Sequence, residues 1–329
     1  MIHLLKKGLL LFIALCLSIF LLAIYMSLGN LPKESYAEVI DYSESFDFSD
    51  STLKVMTYNL GYLSGMTNNR SIQREEEFFN EHLQKAKNLM READASIIGF
   101  QEIDFGASRS FHINQLDSLA IYGDYVSGYK SINWDKKYVP FPYWPPSNHF
   151  GEMLSGQAII SRLPLENAER IILNPNLNAP AYYRAFYLDR LLQIAEVSFL
   201  GTQVKIMSVH LEAFDKETRL KQIELVKSEF DKYASKQPVI LMGDFNSKIP
   251  RESDGIDAIE VLMKSKWISS AIPFENESIS RTFPSAEPVK MIDYIFYNEN
   301  FITPIQAKIL IEAGQISDHL PVLAEFKLR

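Results

Sequence analysis

From Leu53 onward, short apolar runs broken by turn residues alternate with a few amphipathic stretches, a pattern that predicts a mixed α/β domain. Leu53 to Asn59 (LKVMTYN) reads as a strand entering a core, and Ser96 to Phe100 as a buried strand that ends at Gln101-Glu102. Further strands are expected at Gly156–Ser161, Leu191–Val197, Val204–His210, Val239–Gly243, Met291–Tyr297 and Val322–Leu328, from their apolar and β-branched content. Two long helices are expected. Arg74–Arg91 carries Phe78, Leu83, Ala86 and Leu89 at near-helical spacing, and Lys216–Tyr233 is capped by Asp215 and apolar at Leu220, Ile223, Val226 and Phe230. Many strands and few helices imply an α/β (α+β) fold in which two mainly antiparallel sheets pack face to face with helices outside. No linker-like stretch divides the region, so residues 51–329 are read as one domain.

The N-terminus breaks the pattern. Gly8 to Leu28 (GLLLFIALCLSIFLLAIYMSL) holds no charge, and a helix of that length spans roughly 30 Å of hydrocarbon. Lys6 and Lys7 precede it, and positive charge stays cytoplasmic. The expected arrangement is a short cytoplasmic tail (1–7), a transmembrane signal anchor (8–28), a polar tether (29–50), and the domain outside the cytoplasm, periplasmic or extracellular. A cleaved signal peptide is the competing reading, since Ser35-Tyr36-Ala37 offers small residues at peptidase spacing, and cleavage would leave a secreted protein. The apolar run is longer than the usual apolar region of a signal peptide and the candidate site lies well past its end, which favours the uncleaved anchor.

Composition narrows the chemistry. The 329-residue chain is 47% hydrophobic with a formal net charge of -8, which disfavours holding a polyanion by counterion release, so nucleic acid enters only as a substrate. The single cysteine, Cys16, lies inside the apolar run. Any metal in the domain must therefore sit on oxygen and imidazole ligands. Candidate ligands and proton carriers recur where expected strands end: Asn59, Glu102, His210, Asp244 with Asn246, Asp293, and Asp318 with His319. Carboxylates and amides suit Mg²⁺, Mn²⁺ or Ca²⁺. Each residue alone has a plainer explanation: Asn59 or Glu102 as a turn residue or cap, His210 as a satisfied core histidine, Gly243 to Asn246 (GDFN) as a turn.

Taken in order, the motifs change that balance. VMTYNLG around Asn59, IIGFQEID around Glu102, SGQAIISRLPL from Ser155, SVHLEAF around His210, LMGDFNS around Asp244, MIDYIFYN around Asp293 and SDHLPVLAEF around His319 together resemble the endonuclease/exonuclease/phosphatase superfamily over nearly all of residues 53–327. The resemblance implies a four-layered α/β sandwich and divalent-metal-dependent phosphoester hydrolysis. By position it implies that Glu102 is the principal metal ligand, with Asn59 and Asp318 near the metal or a second one. Asp244 would orient or deprotonate the attacking water, and Asn246 would hold a phosphate oxygen. His319 would contact the scissile phosphate with Asp293 fixing its tautomer, His210 would serve as general acid or phosphate ligand, and Arg190 matches a position that is often basic.

The histidine in SVHL is similar to sphingomyelinases, deadenylases and pancreatic-type deoxyribonucleases and unlike abasic-site endonucleases. Gly61 stands where some nucleases have an acidic residue, which puts two-metal chemistry in doubt. The stretch from Tyr138 to Phe150 (YVPFPYWPPSNHF) is too rich in proline for a regular helix or central strand, so it is expected as an extended loop near the site. Its Tyr143, Trp144 and His149 are candidate substrate contacts, able to stack on a base, hold a choline-like cation or dip into lipid. The alternative is an aromatic loop that merely packs on the sandwich. The resulting expectation is a phosphodiesterase acting outside the cytoplasm on a lipid headgroup or small phosphodiester, held to the membrane by its N-terminal helix and with no protein partner implied. The alternatives are an extracytoplasmic nuclease and an inactive binding module on the same fold.

Overall fold

The computed structural model of the chain describes residues 2–43, 48–68, 70–248, 256–274 and 280–329. Its elements are helices α1 (Ile2–Ser27), α2 (Glu76–Ala93), α3 (Gln115–Tyr122), α4 (Ala181–Phe186), α5 (Lys216–Ala234) and α6 (Ala258–Leu262). The strands are β1 (Ala37–Asp41), β2 (Leu53–Asn59), β3 (Ile97–Asp104), β4 (Ser127–Val139), β5 (Gly151–Ser161), β6 (Glu166–Ile172), β7 (Leu191–Phe199), β8 (Thr202–His210), β9 (Val239–Asp244), β10 (Ile268–Ser270), β11 (Asp293–Asn298), β12 (Ile302–Ile309) and β13 (Val322–Leu328). They form a seven-stranded sheet, β1-β4-β5-β3-β2-β13-β12, and a six-stranded sheet, β10-β11-β9-β8-β7-β6. Among the described residues, only the β2/β3 and β8/β9 strand pairs are parallel.

Period-two alternation builds the layers. In β2 and β3, Val55 and Ile97 join the core between the sheets, while Met56, Tyr58, Ile98 and Phe100 face the other way into a second core with Phe79, Leu83, Leu89 and Met90 of α2 and Leu116 and Leu119 of α3. On the far side, Ile223, Val226 and Phe230 of α5 cover the six-stranded sheet. The parallel pairs require a crossover, and α2 and α5 supply it; their flanking strands are therefore buried on both faces and read as continuous apolar runs. The expected sandwich with helices outside is the one observed.

The expectation of a tether over 29–50 needs correction. Ala37–Asp41 is an edge strand in antiparallel register with β4, from Ala37 opposite Ser131 to Asp41 opposite Ser127. Residues 44–47 of that stretch lie outside the described residues. Polarity, read as a sign of freedom, here reflects a strand at a sheet edge with one side in water. α1 is long and apolar enough to cross a membrane, and none of its residues is buried by the rest of the protein.

Candidate active site

The two sheets deliver their polar strand ends to one edge of the sandwich. In the six-stranded sheet, His210 pairs with Asp244 across β8/β9, and Asp293 pairs with Asp244 across β11/β9, so three functional groups stand in one row. In the seven-stranded sheet, β3 bulges between Phe100 and Ile103 against β5. Glu102 sits in that bulge with φ of 51°, a conformation that re-aims its carboxylate. Asn59, the last residue of β2, joins the two sheets: its Nδ2 donates to Asp244 Oδ2 (2.9 Å), and its Oδ1 accepts from the Gly61 amide (3.0 Å). Asp318 and His319 arrive on the loop before β13, fixed where Ser317 Oγ donates to the Asn59 carbonyl (2.7 Å) and the Ser285 amide donates to the Asp318 carbonyl (2.8 Å).

His319 Nδ1 faces both carboxylate oxygens of Asp293 (3.0 and 3.2 Å), and its Nε2 lies 3.9 Å from Asp244 Oδ2. Burial alone would push this imidazole down, but the Asp293 and Asp244 charges outweigh it and raise its pKa to about 10. His319 is thus an imidazolium that presents Nε2–H to the site. Burial, then the Asp293 charge, raises Asp244 to about 7 against the opposing effect of His319. Burial and the neighbouring Asp318 carboxylate raise Glu102.

His210 is in contact with Arg190. Arg190 Nη1 donates to His210 Nε2 (2.6 Å), and burial, then the Arg190 charge, holds this imidazole well below its ordinary pKa. His210 thus braces Arg190, while its Nε2 also lies 3.4 Å from Asp244 Oδ2 at the cavity wall. Asn246 lies beside Asp244. Its Nδ2 donates to the Leu211 carbonyl (3.0 Å) and toward Asp244 Oδ2 (3.4 Å), and its backbone amide donates to Asp244 Oδ1 (2.8 Å). It therefore positions Asp244 from the cavity wall. Arg190 is buried, with its Nε lacking a hydrogen-bond partner, and the surrounding Tyr187, Glu212, Glu102 and Asp244 outweigh the effect of burial to strengthen its charge.

The donor set suits a hard divalent cation. Glu102 Oε2 and Asp318 Oδ1 both approach Asn68 Nδ2, at 2.9 and 3.5 Å. Two half-buried carboxylates converging with only an amide between them is the arrangement a bound cation relieves. Asp244, Asp293 and His319 also bring one ligand atom each within 4.8 Å of one another. Both Asp293 oxygens are committed to His319, however, so the Glu102/Asp318 side offers the freer oxygens.

A cavity of about 530 Å³ opens beside these groups. Its walls include Tyr62, Trp134, Phe141, Tyr143, Phe150, Tyr187, Phe214 and Phe283, with Lys290 and Arg190. Of the proline-rich loop, Phe141, Tyr143 and Phe150 line the cavity. Trp144 is 79% exposed and does not, and His149 turns to Tyr138 Oη (2.9 Å) and the Tyr143 carbonyl (3.3 Å), holding the loop's shape. Reading the sequence missed Asn68, Tyr62 and Arg109. Arg109 is buried, pairs with Asp104 (2.8 Å) and lies 3.4 Å from the Tyr62 ring centroid, stiffening the aromatic wall from behind. The asparagine gave no strand-end signal, and a lone arginine after a strand reads as surface.

Two facing sheets that pool carboxylates, amides, an imidazolium and a buried guanidinium at one edge define a hydrolytic α/β sandwich built for phosphoesters. The chain belongs to the endonuclease/exonuclease/phosphatase family, whose model matches residues 56–319, and it is a phosphoester hydrolase of that generally divalent-metal-dependent family. No curated protein sequence matches it. Among solved structures it is similar to an endonuclease/exonuclease/phosphatase from Beutenbergia cavernae (19% identity, 85% of this chain and 72% of that one, TM-score 0.61). It is also similar to a Bacteroides thetaiotaomicron mannosyl-6-phosphatase (16% identity, 83% and 99%, TM-score 0.58) and to the human Nocturnin catalytic domain with bound sulfate anion (18% identity, 91% and 100%, TM-score 0.56). At these identities the likeness concerns the fold.

Proposed function

We propose that the chain is a divalent-metal-dependent phosphodiesterase acting outside the cytoplasm on a lipid headgroup or other small phosphodiester. The observation that carries this reading is the juxtaposition of Asp244 and His319 Nε2, 3.9 Å apart, beside the Glu102/Asp318 carboxylates. Glu102 and Asp318, with Asn59 close by, would hold Mg²⁺, Mn²⁺ or Ca²⁺, which when bound neutralises phosphoryl oxygens. Asp244, fixed by Asn59 and Asn246, accepts a proton from water. His319 offers its Nε2 proton to a phosphate oxygen, and Asp293 keeps the ring turned that way. Arg190, braced by His210, adds fixed positive charge at the cavity floor. The ring-lined cavity receives the group beyond the phosphate.

The test is hydrolysis of a chromogenic phosphodiester, sphingomyelin and glycerophosphodiesters with Mg²⁺ or Mn²⁺. Turnover on any of them that is lost in Glu102→Ala supports the reading, and no metal-dependent turnover on all of them sinks it. A nuclease is the second reading, because flat rings such as Tyr62, Phe141 and Tyr143 can also stack on a base. Degradation of an oligonucleotide in preference to the small esters would favour it. An inactive binding module would leave every activity unchanged in both Glu102→Ala and His319→Ala.

A further inference from the structure

The junction between α1 and the domain is built as a latch. Asp135, buried in β4, accepts the Asn30 amide at both carboxylate oxygens (2.8 and 2.9 Å), and at Oδ2 also the Leu31 amide (2.9 Å) and the Tyr36 hydroxyl (2.9 Å). Asn30 Nδ2 donates to Glu152 Oε1 of β5 (2.8 Å), the Lys137 amide donates to the Leu28 carbonyl (2.8 Å), and Lys136 Nζ donates to the Ser27 carbonyl (3.0 Å). Gly29 makes the closure fit: a Cβ there would lie 2.7 Å from Asp135 Oδ2 and 2.8 Å from Tyr36 Oη. Cleavage after Ala37 would strip Asp135 of all these partners, which supports retention of the anchor.

The register fixes which end of the domain faces the anchor. Leaving α1, the chain meets β4 first at Lys137, then at Asp135, then at Ile132, and runs as β1 from Ser131 to Ser127. It therefore descends β4 away from the helix, by roughly 30 Å over that stretch of strand, and the Val139 end of β4 is the end nearest α1. The returning strand β5 begins at that end, and β3, antiparallel to β5, reaches Ile103 and Asp104 opposite Gly156 and Ser155, so Glu102 lies toward it. The loop between Val139 and Gly151 is thus bracketed by the two strands tied to the helix exit. Tyr143 and Phe214 both line the cavity while being 64% and 80% exposed, and Trp144 is more exposed than Tyr143. Lys33, Lys136 and Lys137 stand at the helix exit beside Glu34, Asp135 and Glu152, the level at which headgroup phosphates would lie if α1 spans a bilayer.

We propose that the catalytic edge is held against the outer surface of the bilayer that α1 spans, with Tyr143, Trp144 and Phe214 seated among lipid headgroups, so that the cavity opens onto membrane-borne phosphoesters. Aromatic rings are favoured at that depth, and exposed rings at the mouth of the cavity suit the headgroup region of a lipid surface. This rests on the hydrolase reading for the substrate and on α1 remaining in the membrane for the geometry.

The full chain is reconstituted in phosphatidylcholine/phosphatidylglycerol vesicles containing bromine-labelled acyl chains, and tryptophan quenching is recorded. Strong quenching that disappears in Trp144→Phe is expected; an unquenched wild type, or quenching unaltered in Trp144→Phe, overturns the proposal. Asp135→Asn and Gly29→Val, the second lying outside the domain itself, are expected to release the latch and weaken Trp144 quenching, and quenching as strong as wild type in both overturns it. In the same vesicles, Asp135→Asn should lower the rate on a bilayer-embedded phosphodiester about tenfold through lost effective concentration, with the rate on a soluble chromogenic phosphodiester unchanged. If the wild type hydrolyses neither substrate, the hydrolase reading fails while the quenching still judges the surface.

Discussion

Gly243 separates two ways of building the site. It sits opposite Val209 in the parallel β8/β9 pair, one residue before the His210–Asp244 pair, with φ of 147°. A Cβ at this position would lie 2.0 Å from the Val209 carbonyl oxygen and 2.9 Å from that residue's carbonyl carbon and amide nitrogen. These contacts are backbone, so no rotamer change relieves them, and β9 must move from β8 by about 1 Å to restore ordinary packing. The strained φ costs about 1–3 kcal/mol and the crowding about 1–3 kcal/mol more. Gly243→Ala should therefore lose about 2–6 kcal/mol of a total stability on the order of 5–15 kcal/mol. Displacing Asp244 by about 1 Å from its partners should reduce kcat/KM roughly 100-fold. Equilibrium urea unfolding gives the first quantity, and kinetics on a chromogenic phosphodiester at a temperature where the variant is folded gives the second. A variant within about 1 kcal/mol of wild type and fully active would refute the claim that the closeness of these two strands positions the catalytic row.

The other predictions address separate parts of the molecule. Phe79→Ala, at a fully buried position of α2 against the seven-stranded sheet, should cost about 3–5 kcal/mol in urea unfolding and leave KM unchanged in the folded fraction. A chelator should lower the Tm of the wild type, because a cation bound only by the folded state at about 100 times its Kd adds about 2.7 kcal/mol; Glu102→Gln should show little such response, and equal shifts in both would place the cation elsewhere. Burial pushes Asp94 up, but hydrogen bonds from Lys54 (2.9 Å) and Arg162 (2.6 Å) outweigh it and hold the carboxyl below its ordinary value. Its contribution is therefore present above the unfolded pKa near about 3.9 and is lost as pH falls through the lower folded value. Asp94→Asn keeps the left-handed conformation there, so its urea midpoint should fall less than that of wild type between about pH 6 and about pH 3.

Much of the architecture was legible because it rests on periodicity. β2 and β13 have the limits that their apolar runs suggest, and α2 and α5 fall within two residues of the expected helices. β4 escaped notice for a physical reason. Its sequence, SGYKSINWDKKYV, is polar at Ser131, Asn133 and Asp135, yet all three are buried. Ser131 Oγ accepts from Gln193 Nε2 (2.9 Å), and Asp135 is saturated by Asn30, Leu31 and Tyr36. A polar residue at a core position reads as surface until the partner that satisfies it is known, and these partners lie far away in sequence. Strand-end residues could be picked out because a strand's last side chain projects where the sheets stop, but which neighbour each would face could not. That is why His210 reads as a proton carrier in the sequence and as a brace for Arg190 in the structure.

The same limit explains why the segment after α1 reads as a tether. Composition reports how much apolar surface a stretch can bury, and residues 30–41 have little; it says nothing about whether a single buried carboxylate elsewhere can collect their backbone amides. Asp135 does so, and the consequence extends beyond local order. A free tether would let the catalytic edge sample all orientations, so membrane-borne and soluble phosphoesters would compete on concentration alone. A latched domain ties the strand ends that carry Glu102 to the helix exit, and in the proposed arrangement the direction of β4 turns them toward the bilayer. Substrate choice then depends on orientation as well as on the ring-lined cavity, and the residues that set the orientation, Gly29 and Asp135, touch neither the cavity nor the catalytic row.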